Sequence, residues 1–370
     1  MRIGIDASRA ALARRTGTER YARELIRALL AAGSRHTFTL YFRGAPPAGA
    51  FPGAFPAPKQ RVIPFPRLWT HIRLSLELLA RPRPDVLFVP AHVLPLVHPL
   101  PSVVTVHDLG YRYFPGAHPL GQRLYLDWST RFSARAATRV IADSLATRGD
   151  LARFYGIPPE KVTVVYPGRD ESLAPADPAA VRARCNLPED YLLHVGTLQP
   201  RKNLIRLIQA VEALRPRWPA LSLVLAGRRG WLAEPILALA RQHADFVRLL
   251  DYVPEADLAG LYSGARAFVF PSLYEGFGFP VLEAMAGGTP VICANTSSLP
   301  EVAGEAALLV DPASTADLAG AIERVLAEPV LRAELSAKGR LQAQRFSWQR
   351  AAAETLAVLE QAASSAVPVS

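Results

Sequence analysis

The stretch Phe268-Val-Phe-Pro-Ser-Leu-Tyr-Glu-Gly-Phe-Gly-Phe-Pro-Val-Leu-Glu-Ala-Met-Ala-Gly-Gly-Thr-Pro-Val-Ile292 reads as strand, tight loop, short helix and strand. Ala267-Phe-Val-Phe270 is a continuous apolar run, the pattern of a strand buried on both faces. Gly276 and Gly278 punctuate the loop and let backbone come close to a ligand. Pro280 fits the first helical position, where its missing N–H costs nothing. Gly287-Gly288 stop the helix about two turns later, and Pro290-Val-Ile-Cys-Ala294 resumes as a strand. The loop therefore ends at a helix N-terminus, a ready place for an anion.

Two carboxylates bracket that loop. Glu275 precedes the first glycine, and Glu283 follows eight residues later inside the helix. Taken singly, Glu283 reads as a complement to the helix dipole and Glu275 as a solvated loop charge. Neither reading accounts for an apolar strand that runs straight into Tyr-Glu-Gly-Phe-Gly-Phe-Pro. Loops at the carboxyl ends of parallel strands are where α/β sheets place ligands.

Working outward, the chain alternates strands and helices over both halves. In the first half, strands are predicted at Arg2–Asp6, Thr37–Phe42, Arg61–Phe65, Asp85–Val89, Ser102–Val106, Arg139–Ala142 and Lys161–Val165. A helix is predicted from Glu19 to Leu30, with Tyr21, Leu25 and Leu29 on its inner face. The second half restarts at Tyr191–Val195 and continues through Leu221–Gly227, Phe246–Leu250 and Ala307–Val310. Such alternation predicts parallel, doubly wound sheets. With 370 residues, two domains are expected. The boundaries are placed at 1–168 for the first domain, 169–188 for a proline-rich linker, 189–345 for the second, and 346–370 for a terminal helix and tail. Residues 44–58, rich in Gly, Pro and Ala, are expected to form a surface loop.

Composition narrows the classes. No apolar run is as long as a membrane span, and Met1-Arg-Ile-Gly-Ile-Asp6 reads as a strand rather than a signal peptide. Cys185 and Cys293, far apart in sequence, suggest reduced thiols in a cytoplasmic protein with no metal cluster. The net charge is +10, from 42 basic and 32 acidic residues. That balance suits an anionic ligand or an anionic membrane surface. Peripheral contact with lipid headgroups at the inner face of a membrane is therefore expected. Nucleic acid is not, because helix-turn-helix, zinc and RNA-recognition signatures are missing.

Glu275-Gly-Phe-Gly-Phe-Pro-Val-Leu-Glu-Ala284, with Gly-Gly-Thr-Pro-Val behind it, resembles the Glu-x7-Glu motif of retaining glycosyltransferases of family 4. Gly196-Thr-Leu-Gln-Pro-Arg-Lys-Asn203 resembles that family's phosphate-contacting segment. Val106-His-Asp-Leu109 resembles its segment with an active-site His, and Tyr166-Pro-Gly-Arg-Asp170 its hinge. Thr16-Gly17-Thr18-Glu19 resembles its glycine-rich first loop, with Glu19 where a second glycine is common; Glu19 is expected to cap the helix or pair with Arg20 or Arg23. The resemblance implies the GT-B architecture, two Rossmann-like domains with parallel sheets facing across a cleft. It implies transfer of a hexose from a nucleoside-diphosphate sugar, of the GDP-mannose or UDP-glucose type, to a glycan, lipid-linked or small-molecule hydroxyl, with the anomeric configuration retained.

By the same resemblance Glu275 and His107 act on the transferred sugar, and Arg201 and Lys202 clamp the diphosphate. Glu283 takes the ribose hydroxyls. Gly17, Gly276, Phe277, Gly278, Phe279 and Leu282 line the donor, and Tyr252 and Val253 belong to the base pocket. Tyr111 and Tyr113 are candidates for an acceptor groove. No cofactor or metal is expected, since the two cations can take up charge on the leaving group. Two other classes share these features: a sugar-nucleotide epimerase, which would need no acceptor, and a non-catalytic nucleotide-sugar binding module. A dehydrogenase fits poorly, because Gly276-Phe-Gly278 lacks the third glycine of the dinucleotide fingerprint.

Overall fold

The computed structural model describes residues 1–12, 17–32, 35–47, 49–51 and 57–365. The chain divides into two compact units, residues 1–168 with 346–370, and residues 169–345. Part of the predicted surface loop, residues 48 and 52–56, lies outside the described residues, as does Thr16 of the first-loop motif.

Unit 1 holds a seven-stranded sheet: β1 Arg2–Asp6, β2 Thr37–Phe42, β3 Lys59–Val62, β4 Val86–Val89, β5 Ser102–Val106, β6 Arg139–Ala142 and β7 Val162–Val164. Its order is β3-β2-β1-β4-β5-β6-β7, and every pair is parallel. The strand predicted at Arg61–Phe65 instead pairs over Lys59–Val62. Pro64 and Pro66 have no N–H to give a ladder, so pairing stops before them. The first helix, Gly17–Ala31, buries Tyr21, Leu25 and Leu29 against the sheet. Ser347 caps the helix Trp348–Ser364 by accepting from Arg350 N–H. That helix lies on unit 1, where Trp348 meets the Tyr21 ring edge-on at 5.9 Å. A Cβ at Gly168 would collide with the Trp348 backbone, so the approach requires glycine.

Unit 2 holds six parallel strands: β8 Tyr191–Val195, β9 Ser222–Ala226, β10 Val247–Leu250, β11 Ala267–Phe270, β12 Val291–Ala294 and β13 Ala307–Val310. Their order is β10-β9-β8-β11-β12-β13. Central strands β8, β11 and β12 are buried along almost their whole length, which is why β11 and β12 read as unbroken apolar runs. Leu223, Leu225, Val269 and Ile292 pack under Leu207, Ile208 and Val211 of the helix Leu204–Leu214. The proline-rich residues 169–188 belong to this unit and include a helix, Ala179–Cys185. Its Val181 is buried, with its Cγ1 close to Gly260.

Candidate active site

In unit 2 the chain runs outward from β8 to β9 and β10, then returns to β11 on the other side of β8. The loops leaving β8 and β11 therefore diverge. The crevice at their carboxyl ends is the topological switch point where such sheets bind ligands. Arg201 and Lys202 stand in the first of these loops, and Glu275 in the second. Pro200–Lys202 is a single tight turn, and Asn203 follows in the left-handed region at φ 60°. Its Nδ2 donates to the carbonyls of Pro271 (3.1 Å) and Pro312 (2.8 Å), tying the β8 loop to those after β11 and β13. Leu273 N–H donates to Arg201 O at 2.9 Å.

These ties bring three charges together. Glu275 Oε1 lies 2.6 Å from Lys202 Nζ, and Oε2 lies 2.8 Å from Arg201 Nη1. Arg201 also donates to the Tyr274 carbonyl. Lys202 Nζ sits 4.5 Å above the Phe270 ring, a cation–π contact that helps an ammonium in a buried place. Burial alone would push the Glu275 carboxyl up. The charges of Arg201 and Lys202 outweigh it and hold the group down at about 2. Glu275 and Lys202 are buried, whereas the Arg201 side chain keeps 23% of its surface exposed. Two cations share one carboxylate, so the trio carries net positive charge, and Arg201 is its open face.

The glycine loop is held from behind. Ser297, at φ 52°, accepts from Glu275 N–H at 2.9 Å. Ser298 Oγ lies 2.6 Å from Phe277 O and 3.0 Å from Glu275 O. Gly278 has φ 116°, and a Cβ there would press on Leu299 at 2.8 Å. The helix Phe279–Ala286 begins directly after it, with Pro280 in its first turn. Phe277 and Phe279 meet edge-to-face at 5.2 Å. Glu283 is buried, and its Oε2 accepts the Tyr262 hydroxyl at 2.9 Å. Leu282 is buried in the interior of the same helix. Tyr252 stands in the loop after β10, 59% exposed, with the Arg228 guanidinium 4.8 Å over its ring; Val253 beside it is half-buried.

Two residues escaped the sequence reading. Tyr262 lies in the helix Glu255–Ser263, and nothing in its spacing from Glu283 pairs them. His194 reads as one polar residue in an apolar strand. It is fully buried and stacked against Phe270 at 5.3 Å, with Nδ1 3.1 Å from the Val269 carbonyl. Burial and the Lys202 charge pull its pKa down to about 3. It is therefore neutral, with the proton on Nδ1 and the Nε2 lone pair buried.

Unit 1 builds a different cluster at its own carboxyl ends. His107 follows β5, and its Nδ1 lies 2.5 Å from Oδ2 of Asp143, which follows β6. His107 Nε2 lies 3.0 Å from the Pro90 carbonyl after β4. With Asp143 ionised, both ring nitrogens donate and the ring is an imidazolium; burial pushes the Asp143 carboxyl up against the pull of that charge. Burial opposes that charge, but Asp143 outweighs it and raises the His107 pKa. The pair is buried, with Tyr21 edge-on to the imidazole at 4.7 Å. Gly17 opens the first helix, and Glu19 accepts from Arg9 at 3.0 Å. Tyr111 is not a groove residue: it is buried with its hydroxyl 2.8 Å from that of Tyr155. Its four-residue helix turns the ring inward, a direction that sequence spacing does not reveal.

A net-positive cluster at the switch point of a parallel sheet, close to a helix N-terminus, is suited to an anionic ligand. Comparison with known proteins gives the family. Residues 182–342 match the family described as glycosyl transferases group 1, and residues 15–173 match glycosyltransferase family 4. The O-antigen chain mannosyltransferase B of Escherichia coli is 35% identical over 265 residues, covering 69% of each chain. A D-inositol 3-phosphate glycosyltransferase of Streptomyces bingchenggensis is 35% identical over 288 residues, covering 72% of this chain and 62% of its own. Among solved structures, a sucrose-phosphate synthase from Thermosynechococcus elongatus superposes with a TM-score of 0.78 at 25% identity, covering 99% of this chain and all of its own. Anabaena Alr3699/HepE, solved with UDP and glucose, superposes at 0.74 with 20% identity, covering 98% and 100%. The chain belongs to the family 4 glycosyltransferases and has the GT-B fold of two Rossmann-like domains.

Proposed function

We propose that the protein moves a hexose, mannose in the first instance, from a nucleoside-diphosphate sugar to a hydroxyl of a glycan or lipid-linked acceptor, with retention at the anomeric carbon. The observation that carries this reading is the Arg201–Lys202–Glu275 trio at the switch point of unit 2. Mannose is favoured over glucose because one similar protein is a mannosyltransferase.

In this reading Glu275 fixes the two cations before any ligand arrives. The donor's diphosphate meets the net positive charge of Arg201 and Lys202, and the field at the N-terminus of Phe279–Ala286 adds to it. As the sugar–phosphate bond breaks, negative charge grows on the leaving diphosphate. Positive charge grows at the anomeric carbon, where the Glu275 carboxylate steadies it. Glu283, steadied by Tyr262, serves the ribose hydroxyls. Gly276 to Phe279 offer backbone N–H groups, and Tyr252 and Val253 border the base. Two fixed cations supply the charge a divalent metal would, so transfer proceeds without one. His107 spends both ring nitrogens inside unit 1 and is a positioning residue, holding the end of β5.

The test is incubation of a glycan acceptor with GDP-mannose or UDP-glucose, each with and without a chelator, reading diphosphate release and the configuration of the glycoside formed by NMR. Retained product formed equally with chelator is the expected result. Inverted product, or donor isomerisation without any acceptor, would overturn the reading.

A further inference from the structure

We infer that unit 2 carries a second anion site, for a phosphate monoester of sugar size, at the end of its sheet opposite the Arg201–Lys202–Glu275 trio. This goes beyond the transfer reading and does not depend on it. A cavity of about 540 Å³ opens beside Glu189, Arg266 and Pro290. These residues stand just ahead of β8, β11 and β12, which are neighbours in the sheet. The three strands run parallel, so the cavity lies at their amino ends, whereas the trio lies at the carboxyl ends.

One wall is the helix Pro329–Ala343. It presents Pro329, Arg332, Ala333 and Ser336, a spacing of three, four and seven residues that keeps them on one face. Arg182, from the helix Ala179–Cys185, lines the cavity as well. Three segments distant in sequence thus bring three arginines to one place.

Their charges are only partly balanced. Arg182 Nη2 donates to the Glu189 carbonyl at 3.5 Å, and Arg332 Nη1 donates to the carbonyls of Val325 and Leu326 at 3.0 Å each. Those acceptors are neutral, so neither guanidinium is ion-paired among the described residues. Arg266 pairs with Asp190. Arg340 Nη1 donates to Ser336 Oγ at 2.8 Å and adds a fourth cation at the edge. Against the four stand two carboxylates, Glu189 in the lining and Asp190 on Arg266. Unit 2 as a whole has 18 basic against 20 acidic residues, so this excess is local.

Charge and size select the ligand. A guanidinium meets phosphate oxygens in pairs, and a phosphate monoester brings two negative charges to two unpaired arginines where a carboxylate brings one. The volume falls within the range of small-molecule sites, about 300–1,000 Å³, and exceeds what a bare phosphate fills. The Glu189 carboxylate can accept sugar hydroxyls, and the rings of Pro178, Pro290 and Pro329 offer apolar faces to sugar C–H groups.

Calorimetric titration of the whole protein with glucose 1-phosphate, beside inorganic phosphate and uncharged glucose, tests this. Saturable binding of the sugar phosphate with Kd of about 1 mM or tighter is expected, with phosphate at least about tenfold weaker and glucose silent. Arg182→Gln should weaken the sugar phosphate by about tenfold or more. Ala333→Glu, which sets a carboxylate on an exposed position of the wall, should do the same by repulsion and serves if Arg182→Gln does not fold. Circular dichroism checks both. Arg201→Ala, at the other end of the sheet, should leave this binding in place. No saturable binding up to about 10 mM, phosphate binding as tightly as its ester, unchanged affinity in folded variants, or loss of binding in Arg201→Ala would each overturn the inference. Diphosphate release from the sugar donor is a separate readout, so failure here leaves the transfer reading standing.

Discussion

The two units use one α/β plan to build two unlike charged clusters. In unit 2, Arg201, Lys202 and Glu275 leave an excess cation and an open face at the switch point. In unit 1, His107 and Asp143 neutralise each other, and the third partner is a backbone carbonyl. The first cluster sets two cations against one carboxylate, and the second sets one against one. Charge at the carboxyl end of a strand is thus not enough to mark a ligand site. What matters is whether the charge is balanced internally, because a buried ion held against its counter-charge acts as a strut.

The largest effect should come from the open cluster. Glu275→Gln keeps the shape and removes the charge, and kcat is expected to fall by about two to three orders of magnitude. Binding of bare diphosphate should hold or improve, since a competitor for the two cations is gone. Initial-rate kinetics beside calorimetric titration separates the two outcomes, and a parallel collapse of diphosphate affinity would show that Glu275 only organises the loop.

Next in size is the closed cluster. Asp143→Asn leaves a buried imidazolium without its counter-charge and should cost about 3 kcal/mol of stability. The sign with pH follows from the raised pKa of His107. The pair's contribution is present below the unfolded histidine value of about 6.5, is lost as pH rises through the higher folded value, and fades again on the acid side where Asp143, pushed up by burial, takes a proton. Wild type should therefore lose its advantage over Asp143→Asn on going alkaline, read as Tm against pH. A constant gap would mean His107 is neutral when folded.

Arg201→Ala is expected to weaken diphosphate by about 1.5–3 kcal/mol and unphosphorylated nucleoside hardly at all. Equal losses for both ligands would break the contrast between an open and a closed cluster. The smallest effect belongs to Tyr262→Phe, which removes one hydrogen bond from Glu283 at a cost of about 1.5 kcal/mol. It should raise donor KM more than it lowers kcat; a change in Tm alone would make the bond purely structural.

Much of this was legible from residue order alone. Runs such as Ala267–Phe270 and Ser102–Val106 announce buried parallel strands, because a strand covered on both faces has no polar side to show. Gly278 and Pro280 mark a loop turning into a helix, since each residue type is suited to its backbone position. The pairing of Glu275 with Arg201 and Lys202, 73 residues away for the lysine, is not local information. It exists because β8 and β11 are neighbours across the switch point, and strand order is a property of the folded sheet. The same holds for Tyr262 on Glu283 and for Asp143 on His107, where each partner reads as an ordinary residue of its own segment. The outward leucines of Leu120–Ala136 show the limit from the other side. Helical periodicity places them on one face, but only packing decides whether that face turns to the core or away from it. Here Ser129, Thr130 and Ser133 fit against the sheet with Leu126 and Phe132 half-buried beside them, and Leu120, Leu124, Tyr125 and Trp128 are left outside.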